Sequence, residues 1–178
     1  MERLNDVLKS KAQRIKYVFA DVDGTLTDGF VYYSPKGELL KKFSLRDGSG
    51  FFLLHQAGIK TGIITGEDSP IVAQRAKKLK VDKLLMSAVP KVQTHRQELS
   101  KEGLTLEDVA FIGDGINDVK LLQSVGIGFA VADAHELAKE AANVILENKG
   151  GNGVFLEASE KLIEAKGLSV KEIIEQKL

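Results

Sequence analysis

Carboxylates gather where apolar runs end. The stretch "YVFADVDGTLTDG" runs from Tyr17 through largely apolar residues into Asp21, Asp23 and Asp28. "DVAFIGDGIND" does the same into Asp114, Asn117 and Asp118. Thr65, Gly66 and Glu67 follow the run "KTGII", and Lys91 follows "KLLMSAVP". Two unit charges about 4 Å apart repel by roughly 4 kcal/mol at an effective dielectric near 20. A whole domain is stable by only about 5–15 kcal/mol. Carboxylates brought together here therefore require positive charge. Oxygen donors without His or Cys favour a hard cation, and magnesium, which keeps several waters and takes one or two carboxylates plus substrate phosphate, suits this set. Lys91 adds a point charge suited to phosphate.

The inventory fits phosphoryl transfer. A carboxylate can attack phosphorus and form an aspartyl-phosphate, which splits hydrolysis into two easier steps. A second carboxyl two residues on can protonate the leaving oxygen and then activate water. A cation and Lys91 can stabilise charge on the transferring group. Thr65 and nearby amides can hydrogen-bond phosphate oxygens, and Gly24 and Gly66 allow close backbone approach. Plainer readings stand beside these. Asp21 and Asp23 could form an Asx-rich turn. Asp114 and Asp118 could be a helix cap and a first-turn acid, sharing one face if a helix starts near Asp114. Lys91 could be a solvated lysine, although a cation at a helix start is mildly unfavourable. His55, His95 and His135 show no ligand spacing and read as helix or loop surface. A phosphoacceptor signalling domain of receiver type uses similar groups, but it lacks a second acid two residues past the phosphorylated one, so Asp23 separates the two readings.

The elements that must position these residues follow from pattern. Short, nearly continuous apolar runs alternate with helical segments of about 10–15 residues, which indicates a parallel sheet covered on both faces. "KYVFA", "KTGIIT", "KLLMS", "DVAFIGD", "IGFAVA" and "NVILE" read as strands. A helix is expected over 3–14, another over 48–58 ending at Gly58, and one starting with Ser69 as cap and Pro70 at the first position. "FVYYS" and "ELLKKFS" flank Pro35-Lys36-Gly37 and read as a hairpin, over about 29–44, with Asp28 at its start. The fold class expected is α/β: one doubly wound, Rossmann-like domain over 1–178, with a projecting hairpin and no cap domain. In such sheets ligands bind outside the carboxyl ends of the strands, where the acids, Thr65 and Lys91 fall.

Composition narrows the class. Lys plus Arg equals Asp plus Glu, 25 each, which argues against nucleic-acid binding through global basic charge. Cysteine is absent, so thiolate metal sites and cysteine nucleophiles are excluded and a reducing compartment suits the chain. The charged start "MERLNDVLKSKAQRIK" has no apolar stretch of a signal peptide, and no run approaches the roughly 20 residues of a membrane span. A cytoplasmic, non-membrane protein is expected.

"DVDGTLTDG", "IITG", Lys91 and "IGDGIND" resemble, in order, the motifs of the haloacid dehalogenase superfamily of phosphotransferases. The resemblance implies Asp21 as nucleophile and Asp23 as general acid/base. It implies magnesium held by Asp21, the Asp23 carbonyl and Asp114, support from Asp118 and Asn117, and phosphate bound by Thr65, Gly66 and Lys91. With room only for a hairpin and one helix between the first two motifs, and with "GELLKKFSLRDGSG" and "GGNG", the chain is similar to the 3-deoxy-manno-octulosonate 8-phosphate phosphatase family. That family implies a phosphorylated sugar-acid substrate and a homotetramer whose hairpins meet near the axis, a neighbour partly closing each site. Arg46, Asp47, Gly48 and Arg75 follow the family pattern as substrate-side residues. Glu67, Phe52, Asn152 and Leu156 stand where the octulosonate branch carries Arg. Glu67 with Lys78 resembles instead the branch acting on nonulosonate 9-phosphates. A broad-specificity sugar phosphatase is a further alternative.

Overall fold

Six parallel strands run in the order β5-β4-β1-β6-β7-β8 in this computed structural model, which describes residues 6–177. They are β1 (Tyr17–Ala20), β4 (Lys60–Ile64), β5 (Lys83–Leu85), β6 (Val109–Gly113), β7 (Ile127–Ala130) and β8 (Val144–Ile145). Ranked along the chain, these strands lie 3-2-1-4-5-6, so the winding direction reverses between β1 and β6. A doubly wound sheet binds ligands at that switch point. The residues of β1, β6 and β7 are buried throughout, as a sheet covered on two faces requires.

Register sets the rim at the carboxyl ends of the strands. Ala20 pairs with Ile63 of β4 on one side and with Ile112 of β6 on the other. Continued past the strand ends, this register puts Asp21 on the central strand, with Thr65 and Asp114 one rung beyond it on either side.

The helices are α1 (Asp6–Arg14), α2 (Leu45–Gln56), α3 (Pro70–Leu79), α4 (Lys91–Ser100), α5 (Val119–Ser124), α6 (Glu136–Ala141), α7 (Val154–Ala165) and α8 (Val170–Lys177). α1, α2 and α8 pack on α7, while α5 packs between α4 and α6. The expected start of α1 at residue 3 lies outside the described residues. α3 starts as its sequence indicates, the Ser69 hydroxyl accepting from the Val72 amide. α2 begins at Leu45, three residues before the "GSG" taken as its start, because Ser44 accepts from the Arg46 amide. Gly50 is needed inside this helix: a Cβ there would come within 2.8 Å of the Leu156 Cα on α7.

A separate two-stranded sheet forms the hairpin, β2 (Thr27–Ser34) against β3 (Gly37–Phe43), turning at Pro35 and Lys36. It begins two residues earlier than its turn signals suggest. Asp114 and Asp118 do not share an α-helical face. A short 3₁₀ turn, Ile116–Asp118, precedes α5 and folds Asp118 back toward the strand end.

Candidate active site

Asp21 is held where β1 stops: its amide donates to the Ile112 carbonyl of β6, and its side chain is 6 % exposed. Lys91, at the first position of α4, crosses to it. Its Nζ lies 2.8 Å from Asp21 Oδ1 and 2.6 Å from Asp118 Oδ1. Lys91 is therefore buried rather than solvated, its charge compensated by two carboxylates. Asp118 uses its other oxygen to accept from the Asp114 and Gly115 amides, at 3.0 and 3.1 Å. Both its oxygens are committed, so it braces the loop and the lysine. Asp114 Oδ1 accepts from the Thr25 hydroxyl at 2.9 Å.

Gly24 lets the first and fourth loops touch. Its φ is +87°, and a Cβ would stand 2.1 Å from Asp114 Oδ2. The "GGNG" loop closes over the same turn. The Gly151 amide donates to the Thr25 carbonyl, and a Cβ on Gly150 would stand 1.9 Å from the Gly24 carbonyl oxygen. Gly66 is unlike these: a Cβ there would meet only Val89, at an ordinary 3.5 Å.

One oxygen from each of Asp21, Asp114 and Asp118 lies within 4.8 Å of the others. Burial first, then the Asp118 charge, pushes Asp21 up to about 7 against the pull of Lys91. Burial and Asp118 likewise push Asp114 up to about 6. Burial alone would lower Lys91, but the two carboxylates outweigh it and raise it. Carboxyls that resist ionising although a lysine is already present have room for more positive charge. Hard oxygen donors at this spacing fit a divalent cation.

Thr65 is buried at the end of β4. Its Oγ1 accepts from the Glu67 amide at 3.2 Å, which leaves the hydroxyl proton free for a ligand oxygen. Asp23 sits beside the cluster and makes an ion pair with Lys41 of the hairpin.

Residues 82–157, which contain Lys91, Asp114 and Asp118, match the haloacid dehalogenase-like hydrolase family. The 3-deoxy-D-manno-octulosonate 8-phosphate phosphatase KdsC of Haemophilus influenzae is 36% identical over 162 residues, covering 91% of this chain and 90% of that protein. The chain belongs to the KdsC family of haloacid dehalogenase-like hydrolases. It is a phosphoric monoester hydrolase. Among solved KdsC-family structures, the cobalt-bound enzyme of Haemophilus influenzae superposes with a TM-score of 0.84 at 37% identity, covering 88% of this chain and 92% of that one. The Moraxella catarrhalis enzyme, in complex with magnesium, phosphate and KDO, gives 0.89 at 32% identity, covering 95% and 97%.

The remaining sequence candidates are not hydrogen-bonded or ion-paired to this carboxylate cluster in the KdsC-family chain. Asp47 points into α7, its Oδ1 accepting from the Phe155 amide at 2.8 Å. Arg75 donates to the Ser44 carbonyl at 2.8 Å and stacks on Phe43. Gly48 lies beside the Arg75 guanidinium, and Arg46 is exposed with its stem against Gly153. Glu67 and Lys78 are exposed and form no ion pair with any described residue. Asn117 is exposed, its amide oxygen packed against Gly115. His95 is a correction: it is fully buried, edge-on to Phe19 at 4.1 Å, with neither ring nitrogen hydrogen-bonded. Thr25, Lys41 and Asp133, whose carboxylate accepts from the Gly150 amide, bond to the site loops without having been anticipated. Thr25 at least carried a signal, as the hydroxyl next to Gly24 in "DGT".

Proposed function

We propose that this chain is a magnesium-dependent phosphatase that removes the phosphate from 3-deoxy-D-manno-octulosonate 8-phosphate through an aspartyl-phosphate on Asp21, the described residues working as one domain. The observation that carries it is Asp21 at the switch point, bonded by Lys91 and flanked by Asp114, in a chain with KdsC relatives along nearly its whole length.

The steps assign each residue a job. An Asp21 oxygen forms a bond to phosphorus, the ester P–O bond breaks, and Asp23 gives its proton to the departing oxygen, releasing the sugar acid as an alcohol. Asp23 then takes a proton from water, the hydroxide oxygen bonds to phosphorus, and the bond to Asp21 breaks to give inorganic phosphate. Lys91 and the Thr65 hydroxyl bind the phosphoryl oxygens, helped by the Gly66 amide. Asp21, the Asp23 carbonyl and Asp114 would hold a magnesium ion, which neutralises charge on the phosphoryl group when bound; Asp118 and Asn117 support that loop. Receiver domains of the CheY type order their strands 2-1-3-4-5, unlike the order seen here, and the KdsC relatives are phosphatases, so the signalling alternative is set aside.

A second reading, a nonulosonate 9-phosphate substrate, is favoured by departures from the octulosonate pattern that the chain resembles. Glu67, Phe52, Asn152 and Leu156 stand where that pattern has Arg, and none of them can pair bidentately with a sugar-acid carboxylate. Arg46 is the exposed arginine left beside the "GGNG" loop. Phosphate release from the two substrates, measured side by side with magnesium, decides between them. A Glu67→Ala, Lys78→Ala variant shifts their ratio if those residues read the substrate. Equal and negligible turnover of both sinks the sugar-acid assignment.

The hairpin supports a homotetramer. Phe30, Tyr32, Tyr33, Leu39 and Leu40 are all exposed on it, an apolar concentration suited to burial against other copies. Among the described residues no helix is long and apolar enough to cross a membrane.

A further inference from the structure

The hairpin reaches the catalytic loops through one lysine. β3 presents Lys41 and Lys42 to opposite faces, as alternation requires. Lys42 is 69 % exposed and pairs with Asp28, the kind of solvent-exposed contact that contributes little. Lys41 is different: its side chain is 5 % exposed and lies between two carboxylates, Asp23 Oδ1 and Glu38 Oε1, the latter at 3.0 Å. Glu38 in turn accepts from the Ser69 hydroxyl at 2.8 Å, and Ser69 caps α3 just beyond Thr65. One connected chain therefore runs from the second motif loop through the hairpin to Asp23. Its members are fixed at both ends, by a helix cap and by the turn that follows β1. The second Asp23 oxygen accepts no hydrogen bond from the described residues.

Lys41 is buried while the side chains of Asp23 and Glu38 keep 36 % and 22 % exposure, and an ion pair that desolvates its ammonium is weak evidence for stability. What such a pair supplies is position. We propose that Lys41 is a positioning residue for Asp23: it holds the carboxyl group by one oxygen and leaves the other, which carries the proton in the first step, to meet the departing ester oxygen. This rests on the reading of Asp23 as general acid/base. It also gives the hairpin a part in the chemistry of its own subunit, separate from any part in assembly.

The test uses the leaving group. Alkoxides need a proton as they depart, whereas p-nitrophenolate leaves without one. kcat/KM covers the steps through that departure and excludes hydrolysis of the aspartyl-phosphate. General-acid groups contribute about a hundredfold or more, so Asp23→Asn lowers kcat/KM by that order for the sugar-acid phosphate turned over fastest, and far less for p-nitrophenyl phosphate. Lys41→Met reproduces the same split at about tenfold, a part of the acid's contribution. Lys41→Arg, which keeps the charge, restores most of the loss. Lys42→Met, one residue along, changes neither substrate. If Lys41→Met does not fold, Glu38→Gln, which loosens the lysine from its other side, carries the same comparison. A parallel loss on both substrates, or no loss on either, overturns the positioning role while leaving the Asp23 reading intact. Absence of the split in Asp23→Asn overturns the acid/base reading and the proposal with it.

Discussion

Asp21 and Asp114 are pushed to about 7 and about 6 from an ordinary 3.8, and that has a consequence for stability. A carboxyl whose folded pKa is raised binds its proton more tightly in the native state. The resulting stabilisation is complete below about pH 4 and is lost as pH rises through the window up to about 7. Without metal, the protein should therefore lose stability as it is taken from pH 5 to pH 8. Magnesium competes with those protons, so it should raise the melting temperature more at pH 8 than at pH 5. Equal increments at the two pH values would contradict a metal site built on these carboxylates. Asp21→Asn turns the carboxylate proposed as nucleophile into a non-nucleophilic amide and should abolish phosphate release from p-nitrophenyl phosphate. Full activity in that variant would end the aspartyl-phosphate mechanism. The clustered residues were legible because each follows an apolar run, and the ends of parallel strands share one rim. Lys41 and Asp133 were not: their bonds depend on how a hairpin and a glycine loop fold back, and no local pattern encodes that.

At the scale of elements, the sequence located strands and helices well and misjudged what two of them hide. The "GSG" before "FFLLH" looked like a helix start, since glycine weakens a helix interior by about 0.5–1 kcal/mol relative to alanine. Here the sign reverses. Gly50→Ala would drive a methyl against the α7 backbone, and overpacking of that kind costs about 1–3 kcal/mol. Urea denaturation should show a loss of that order, and a gain would mean the two helices can separate freely. α4 hides His95, which lies one turn after Lys91 on the same face. Burial, with the nearby Lys83 and Lys91 charges, holds its pKa down at about 3, against 6.5 when unfolded. Between those values the unfolded chain binds the extra proton, so stability is present above about pH 6.5 and is lost as pH falls. From this source alone the loss by pH 5 is about 2 kcal/mol. It runs opposite to the trend from Asp21 and Asp114. His95→Leu isolates it: the gap in unfolding free energy between wild type and variant should change by that amount between pH 7 and pH 5. A gap independent of pH would show that His95 is not desolvated. Scattered spacing could not reveal this, because burial of α4 is decided by the sheet beneath it.

The whole molecule is a sheet with a hairpin that has two different faces. Cross-strand partners Val31 and Lys41 share one face, which turns toward the Asp23 loop. Tyr32 and Leu40 are partners on the other, and Phe30 lies two residues before Tyr32 on β2. Phe30 is 74 % exposed, Tyr32 63 % and Leu40 57 %. An isolated two-stranded hairpin is marginal in water, and three large apolar side chains exposed on it are suited to burial against other copies. The sequence showed that a hairpin exists and where it turns. It did not show that one face serves the site and the other faces outward, since register shifts interrupt the alternation between Thr27 and Val31 and again after Tyr32. The expected assembly is a tetramer in light scattering at micromolar concentration. Tyr32→Lys with Leu40→Lys places two like charges opposite each other on the outer face, which is unfavourable on the hairpin and more so once that face is buried. The double variant should sediment as a monomer and still bind magnesium, because the carboxylate cluster lies at the end of β1 and does not use that face. If a neighbouring subunit closes the site, the same variant should lose turnover of the sugar-acid phosphate more than that of p-nitrophenyl phosphate, which is too small to need closure. A wild-type monomer, or a fully active monomeric double variant, would confine the hairpin's role to holding Asp23 within its own chain.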